Sequence, residues 1–363
     1  MGVKKRIGII TWHNYPNVGS ALQAYALHSY INKHNGDALI INYSAFGRPS
    51  LWWLRLLVSR FDRFIPKTIS KKIHYRFLSF ESKFFKETHL YTTIEQLVAQ
   101  NGLFDTFVCG SDQIWAPNVF NDVYMLSFVD DEKKKVSYAA SIGLPYIPNE
   151  LIEKYRTLLG RFDYISVRER QGADLLNTLF GIKSSVVLDP TLLLTKEDWS
   201  LLGLTKKMCN DRYVLCYFLG EQEEHRKIVE DFAKKQGLKV VSISRFSVDI
   251  RPGFITDTDV GPLEFINYIR NADFIFTDSF HGVCFSINLN RNFYVMKRFA
   301  ENSPINQNSR IENILSLLEL KDRLICSVPE DINMIDYKVV NKTLEKLRSE
   351  SHQFLKQALD IDC

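Results

Sequence analysis

Short apolar runs alternate with longer stretches of helical periodicity along most of the chain. The apolar runs are rich in Val, Ile, Phe and Tyr and predict strands, whereas the stretches between them predict helices. The predicted strands are 7–11, 38–43, 106–110, 136–141, 164–169 and 185–190 in the first half and 213–219, 239–244, 274–279 and 293–296 in the second. This alternation is typical of strand-helix-strand units and predicts an α/β fold with mostly parallel sheets.

The pattern occurs twice and therefore indicates two domains. We interpret residues 1–195 and 196–335 as two doubly wound, Rossmann-like domains, with a polar linker around 195–212. A helix within 336–363 is expected to pack back on either half, and a basic, aromatic insertion at 48–90 interrupts the first domain. The length agrees, because 363 residues correspond to roughly two domains of about 150 residues.

The composition is that of an ordinary globular protein, with 45% hydrophobic and 24% charged residues. This excludes collagen-like, coiled-coil and disordered chains. No apolar run approaches the ~20 residues of a membrane-spanning helix, and the start of the sequence lacks the apolar stretch of a secretory signal. We therefore expect a cytoplasmic protein. The six cysteines form no C-x-x-C pair and predict neither a disulfide framework nor a zinc site.

Charge is distributed unevenly. The chain carries +4 overall, but residues 48–86 contain ten Lys or Arg against two carboxylates, a local charge of +8. Within this block, 51-LWWLRLLVSRFDRFI-65 has helix-like apolar spacing with arginines interleaved. Such helices bind anionic lipid headgroups, which predicts peripheral association with the inner face of a membrane. Alternatively, the apolar face packs on the first domain and the basic residues are solvated. Nucleic acid is not expected, because no recognised binding module is present.

Ligands of open parallel sheets bind where the strands end, so polar residues directly after the predicted strands are candidates for a site. The candidates after the first strand are Asn17, Gly19 and Ser20, which begin a helix that could bind an anion or a sugar. An ordinary strand-to-helix turn is the alternative. The candidates after the third strand are Ser111, Asp112, Gln113 and Trp115. Carboxylate, amide and indole suit a sugar, and Asp112 could act as a general base; helix capping is the alternative.

Two further strand ends carry charged residues. Arg168 in SVRER could hold a phosphate or carboxylate through two parallel hydrogen bonds, or could form an ion pair with Glu169 or a neighbour. Asp189 in LDPT is interpreted as a turn residue.

The strongest local signal is FTDSFHG, which offers a proton donor and an anion site where a strand meets a helix. Its candidate residues are Asp278, Ser279, His281 and Gly282.

Taken in order, NVGSALQAYAL, GSDQIW, YAASIG, SVRER, LDPTLLL, DSFHGVCFSI and SRIENILSLLEL resemble the polysaccharide pyruvyl transferase family, from about Gly8 to Leu320. The resemblance implies two Rossmann-like halves facing a cleft, as in GT-B glycosyltransferases. It also implies transfer of the enolpyruvyl unit of phosphoenolpyruvate onto two hydroxyls of one sugar, which forms a cyclic ketal and releases phosphate.

The family's donor-binding basic residues correspond to Arg168 and His281 of this chain. Many members have an arginine between the serine and the histidine of SFHG, whereas this chain has Phe280. One cation for the donor is therefore missing from the motif. The residues that could supply it are Lys297, Arg298 and Arg310.

The resemblance implies a role for each group. Asp112 is the expected base toward the acceptor, His281 the acid or phosphate partner, and Arg168 the anion clamp, so that Arg168→Ala is expected to weaken donor binding without unfolding the protein. Phosphoenolpyruvate is a co-substrate, and the chemistry requires neither a cofactor nor a metal. The expected acceptor is a lipid-linked oligosaccharide. A nucleotide-sugar glycosyltransferase and a non-catalytic member of a polysaccharide assembly complex are the alternatives.

Overall fold

A computed structural model of the protein describes residues 5–44, 71–202, 207–303 and 305–361. The chain divides into two compact units, Met1–Leu193 with Ser349–Cys363, and Leu194–Arg348. Most of the basic, aromatic segment predicted from the sequence falls within 45–70 and lies outside the described residues.

The described residues of the first unit form six strands, β1 (Arg6–Ile10), β2 (Asp37–Ile40), β3 (Thr106–Cys109), β4 (Lys134–Ala140), β5 (Tyr164–Val167) and β6 (Ser185–Val186). They form one parallel sheet in the order β2-β1-β3-β4-β5-β6. Its helices are α1 (Val18–Lys33), α2 (Lys71–Phe84), α3 (Ile94–Val98), α4 (Asn149–Leu159), α5 (Arg170–Phe180) and α6 (Pro190–Leu193). Short 3-10 helices lie at Asn101–Leu103, Pro117–Val119 and Asp122–Met125.

The second unit contains β7 (Tyr213–Tyr217), β8 (Lys239–Ile243), β9 (Phe254–Asp257), β10 (Phe274–Thr277) and β11 (Asn292–Val295). These strands form a parallel sheet in the order β11-β10-β7-β8-β9. The helices are α7 (Lys196–Ser200), α8 (Glu223–Gln236), α9 (Pro262–Asn271), α10 (Phe280–Asn288), α11 (Ser309–Leu317) and α12 (Tyr337–Leu359), with 3-10 helices at Ser247–Asp249 and Lys321–Arg323. Residues of α12 up to Arg348 belong to this unit and those from Ser349 onward to the first.

Burial explains why these runs form parallel strands. Every residue of β3, β7 and β10 is buried, as expected for strands of parallel sheets, whose two faces are both covered. Each unit has its own apolar cluster, which includes Phe107 and Trp115 in the first and Phe232 and Phe276 in the second. The predicted α/β fold with two Rossmann-like halves is confirmed.

The polar stretch interpreted as a linker is ordered where it is described. Thr195 and Asp198 form a capping box that begins α7, and the side chain of Trp199 is fully buried, with its ring 4.8 Å from that of Phe285. Capping and burial of one large aromatic ring attach this stretch to the second unit. In the described part of the chain, no helix is both long enough and apolar enough to cross a membrane.

Candidate functional site

The order of the strands creates one point in each sheet where successive connections leave in opposite directions. In the first unit β1 lies between β2 and β3, and in the second β7 lies between β8 and β10. The loops that follow these strands separate at the carboxyl edge of the sheet, which is where doubly wound folds bind ligands. The predicted motifs NVGS and GSDQIW follow β1 and β3, and DSFHG follows β10. We call these two points the first and the second switch point.

Arg168 follows β5 and lies at the centre of a buried charge network near the first switch point. Its side chain is fully buried; Nη1 donates to Asp189 Oδ2 at 2.8 Å and Nη2 to Asp112 Oδ1 at 3.4 Å. Nε lies 3.8 Å from Glu169 Oε2. Burial lowers the pKa of Arg168, but the three carboxylates raise it by more, so the net shift is upward.

In this network Arg168 binds carboxylates of the protein, whereas the resemblance implies that it binds the anionic donor. One guanidinium already faces three carboxylates, so a substrate phosphate could bind it only if a carboxylate moved away. The alternative weighed from the sequence, an ion pair with Glu169 or a neighbour, is the arrangement that the structure contains. Asp189 also accepts a hydrogen bond from the backbone N–H of Thr191 at 3.0 Å, which fits its interpretation as a turn residue.

Asp112 follows β3 with a φ of +70°, in the left-handed region that Asp tolerates better than most residues. Its Oδ1 accepts from the backbone N–H of the half-buried Gln113 at 2.9 Å, and its Oδ2 accepts from the hydroxyl of Ser20 at 2.5 Å. Ser20 Oγ lies 2.8 Å from the hydroxyl of Tyr15. Ser20 is 0% exposed, the Asp112 side chain 10% and Tyr15 41%. Of these three hydrogen-bonded residues, Tyr15 is therefore the one most exposed to solvent.

Buried polar groups hold the loop of Asp112 in place. The backbone N–H of Ser111 donates to Gln23 Oε1 at 3.0 Å, and Ser111 Oγ lies 3.0 Å from Asp189 Oδ2. Gly110 has a φ of +119°, and a Cβ at this position would lie 2.1 Å from the carbonyl oxygen of Tyr138. Only glycine fits this close approach. Ser111 is fully buried, so its contacts in this structure support the network.

Two other predicted substrate contacts have structural partners. Asn17 caps α1, since its Oδ1 accepts from the backbone N–H groups of Gly19 at 2.9 Å and Ser20 at 3.2 Å. These N–H groups are thus satisfied by the protein, as in an ordinary helix cap. Trp115 is 0% exposed and its Nε1 donates to the carbonyl of Tyr124 at 3.2 Å. The indole face predicted to cover a sugar is covered by the core.

Asp278 closes a loop at the second switch point. Its two carboxylate oxygens accept from the backbone N–H groups of Leu219 at 2.6 Å and Gly220 at 2.8 Å, directly after β7. The residue is 1% exposed. Burial raises the pKa of Asp278, and the two backbone hydrogen bonds and the charge of Arg298 lower it by less. Asp278 therefore fixes the shape of the loop after β7.

Ser279 and Gly282 begin α10. Ser279 Oγ accepts from the backbone N–H of Gly282 at 3.3 Å, which caps the helix. A Cβ at Gly282 would lie 2.5 Å from Thr277 Oγ1. The glycine therefore allows α10 to begin against the end of β10. His281, in the first turn of this helix, is 8% exposed.

Phe280 occupies the position where the resemblance implies an arginine in many relatives. It is 6% exposed, and its ring lies 5.3 Å from the ring of His281. The guanidinium of Arg310 lies over the Phe280 ring at 5.9 Å, and its Nη2 donates to Gln307 Oε1 at 3.0 Å. The fold thus brings one of the three predicted substitute cations next to the position of the missing arginine.

The other two predicted substitutes differ from each other. Lys297 forms ion pairs with Glu301 and, at 2.9 Å, with Glu312, which neutralise its charge. Arg298 is half-buried and lies beside the loop after β7, since a Cβ at Gly220 would lie 3.0 Å from Arg298 Cγ. Among the described residues, its buried Nε has no hydrogen-bond partner and its guanidinium has no carboxylate ion pair. Arg298 is therefore a cation at the second switch point that can still bind an anion.

Sequence reasoning missed Tyr15 and Arg245. Arg245 is exposed and follows β8, and its charge, like that of Arg298, lowers the pKa of Tyr217 against the larger effect of burial, which raises it. Tyr217 is the last residue of β7. Tyr15 lies five residues after the end of β1 and Arg245 two residues after the end of β8. Both strands lie at a switch point, so the position of these residues directly after a strand is the signal that could have identified them.

The family model described as polysaccharide pyruvyl transferase matches residues 17–298. This range covers most of the chain. The chain belongs to the polysaccharide pyruvyl transferase family. No curated protein sequence matches it.

Several solved structures share the fold of this family member. UDP-GlcNAc 2-epimerase from Neisseria meningitidis bound to UDP-GlcNAc is 10% identical, with a TM-score of 0.53 over 99% of this chain and 94% of that chain. The enzyme of the same name from Methanocaldococcus jannaschii is 15% identical, with a TM-score of 0.50 over 94% and 92%. MnaA from S. aureus, in a co-structure with UDP, is 14% identical, with a TM-score of 0.50 over 99% and 91%. At these identities the similarity shows the fold alone.

Proposed function

We propose that the protein transfers pyruvate from phosphoenolpyruvate onto two hydroxyls of one sugar, which forms a cyclic ketal and releases phosphate. Family membership supports a pyruvyl transferase, and the observation that carries the choice of donor is the state of Arg298. A small donor with both a phosphate and a carboxylate needs cations that are not already neutralised. Arg298 meets this requirement in the described part of the second unit.

Three further groups of the second unit complete the proposed donor site. Arg310, which lies over Phe280, supplies a second cation in the place of the missing arginine. Arg245, exposed after β8, attracts the anionic donor. His281 protonates the methylene carbon of the donor or hydrogen-bonds its phosphate, since an imidazole can transfer a proton near neutral pH.

The first switch point supplies the proposed base. The Asp112 carboxylate takes the proton of an acceptor hydroxyl. We assign Arg168 a positioning role, because its guanidinium contacts Asp112, Asp189 and Glu169 and orients the first of these. The two hydroxyls lose one proton each. In the overall balance one proton becomes the third hydrogen of the new methyl group, and the other leaves with the phosphate as HPO₄²⁻.

Binding of phosphoenolpyruvate by the wild-type protein and by Arg298→Gln, measured by calorimetry, tests the proposed donor. We expect affinity to fall about 10- to 100-fold in Arg298→Gln, because charge-assisted hydrogen bonds to the anion are lost. The matched control is Arg212→Gln, since Arg212 is in the same unit but precedes β7, at the opposite edge of the sheet, with a side chain that is 76% exposed. Binding of UDP- or GDP-sugars without binding of phosphoenolpyruvate would favour a glycosyltransferase.

Transfer itself is tested with phosphoenolpyruvate and a panel of lipid-pyrophosphate-linked oligosaccharides. The expected product is an oligosaccharide whose mass has increased by one pyruvate ketal. Binding of the donor without any such product would contradict this acceptor class, and failure to bind phosphoenolpyruvate at millimolar concentration would favour a non-catalytic member of an assembly complex.

A lipid-linked acceptor would require the protein to work at a membrane surface, and we propose that the basic block serves this purpose. Within its described part, Lys71, Lys72, Lys83 and Lys86 are all exposed. Each lysine near an anionic bilayer contributes ~1 kcal/mol, reduced by salt. Changing these four lysines to Gln should weaken co-sedimentation with anionic liposomes at low salt. Equal sedimentation of wild type and variant would contradict the proposal.

A further inference from the structure

While Asp112 is ionised, the hydrogen bonds among Tyr15, Ser20 and Asp112 have one direction. An ionised carboxylate is an acceptor only, so the Ser20 hydroxyl donates to Asp112 Oδ2 across 2.5 Å. A serine hydroxyl has a single proton, and the 2.8 Å contact with Tyr15 therefore has the tyrosine hydroxyl as its donor. The phenol oxygen of Tyr15 keeps its lone pairs available to accept a further hydrogen bond. The hydrogen bonds therefore lead from an accepting oxygen on Tyr15, through Ser20, inward to the carboxylate of Asp112.

The two ends of this chain differ in access. Ser20 is 0% exposed and the side chain of Asp112 is 10% exposed, whereas Tyr15 is 41% exposed. Tyr15 is also held in position. Its backbone N–H donates to the carbonyl of His13 at 2.9 Å and its carbonyl accepts from the N–H of Asn17 at 2.7 Å. An acceptor can therefore reach the Tyr15 side chain more easily than it can reach the carboxylate, while burial, which raises the pKa of Tyr15, keeps the phenol protonated.

We propose that Tyr15 is the residue that touches the acceptor sugar, and that Tyr15, Ser20 and Asp112 act as a proton relay. This inference rests on the proposed pyruvyl transfer and changes how its base works. As the acceptor oxygen becomes the nucleophile, its proton moves to the Tyr15 oxygen, the Tyr15 proton moves to Ser20 Oγ, and the Ser20 proton moves to Asp112 Oδ2. Each hydroxyl gains one proton and loses one, so the only net changes are an acceptor oxygen without its proton and a protonated Asp112.

The proton leaves Asp112 after transfer by the same three oxygens in the reverse direction and is released to solvent. Tyr15 is a catalytic residue in this scheme because it contacts the substrate, whereas Ser20 acts through Tyr15 and is a positioning residue. No oxidation state changes in these steps, since every bond broken or formed in the relay is an O–H bond.

Tyr15→Phe tests the relay in the transfer assay with phosphoenolpyruvate and the lipid-pyrophosphate-linked oligosaccharide that gains the ketal. The variant keeps the ring, which packs edge-on against Trp12 with centroids 6.4 Å apart, and removes only the hydroxyl. We expect kcat to fall about 100-fold, which is within the range for loss of general base catalysis, with an unchanged KM for phosphoenolpyruvate. Ser20→Ala should give the same loss, and the double variant should lose no more than either single variant, because all three interrupt one chain.

The pH profile separates a relay from a merely structural role. Without the Tyr15 hydroxyl the acceptor must give its proton to hydroxide, so log kcat of Tyr15→Phe should rise with pH by about one unit per pH unit where the wild-type rate is flat. The control is Tyr146→Phe, because Tyr146 is 45% exposed, similar to Tyr15, and should leave kcat unchanged. A kcat of Tyr15→Phe within twofold of wild type, or a loss that is the same at every pH, would overturn the relay. Absence of transfer by the wild-type protein would instead overturn the proposed function, and the relay with it.

Discussion

Each unit has one switch point, beside β1 in the first and beside β7 in the second, and the electrostatics of the two are opposite. At the first, the guanidinium of Arg168 faces Asp112, Glu169 and Asp189 and is fully buried. At the second, Arg298 is half-buried and has no carboxylate ion pair among the described residues. The switch point beside β1 thus carries a negatively charged network and the one beside β7 an available cation, in two sheets whose strand orders differ.

This difference indicates what each unit can bind. A carboxylate held by a buried arginine and a chain of hydroxyls suits an uncharged hydroxyl group that must lose a proton. A cation that forms no carboxylate ion pair in the described part of its unit suits an anion. The comparison also shows that a motif does not predict whether its arginine binds a ligand. The number of protein carboxylates that pair with the arginine decides whether its charge is already neutralised.

Removing Arg168 should have the largest effect on stability. In Arg168→Met three buried carboxylates lose their common partner, and we expect unfolding in urea to show a loss of about 3–5 kcal/mol at pH 7. This differs from the sequence-based expectation that the variant stays folded and loses only donor affinity. The deficit should shrink as the pH is lowered, because protonation removes the uncompensated charges.

Arg156→Met is the control for this prediction. Arg156 pairs with Glu153 within α4, but its side chain is 49% exposed and that of Glu153 is 81% exposed. Exposed pairs contribute about 0–1 kcal/mol, so little stability should be lost. A loss below 1 kcal/mol in Arg168→Met would mean that the network at the first switch point is not what holds its loops, and the contrast between the two regions would disappear.

A smaller effect concerns Asp278 at the second switch point. Its pKa is raised by burial and lowered, to a smaller extent, by its backbone hydrogen bonds and by Arg298. Because the folded pKa exceeds the unfolded value of about 3.9, the carboxyl's contribution to stability is full at low pH and declines as the pH rises through the folded value. In Arg298→Gln the pKa should rise further, since an opposite charge is removed, and ¹³C NMR titration of the labelled carboxyl measures this shift.

Arg212→Gln again serves as the control, since Arg212 pairs with Asp273 at the start of β7. It should leave the titration of Asp278 unchanged. An unchanged pKa in Arg298→Gln would place the Arg298 charge too far from Asp278 to act at the second switch point, and the proposed donor site would lose its main cation.

The sequence predicted the strands well because apolar runs in parallel sheets are buried on both faces and leave a continuous signal. GSDQIW and DSFHG were found because polar residues directly after such runs are conspicuous. Within these motifs the roles were harder to predict. Ser279 and Asn17 are polar at helix starts for the ordinary reason that they cap helices, and Trp115 packs in the core.

The sequence by itself therefore determined the fold class, the repeated strand-helix pattern and the strand ends at which chemistry can occur, since each depends on residues close together in the chain. Only the tertiary structure decided which charges are neutralised. Arg168 meets Asp112 and Asp189 across 56 and 21 positions of sequence, and Ser20 meets Asp112 across 92. Contacts over such distances depend on the order of the strands in the sheet, which periodicity does not encode. The same packing left Arg298 without a carboxylate ion pair among the described residues and made Tyr15 the most exposed of three hydrogen-bonded residues.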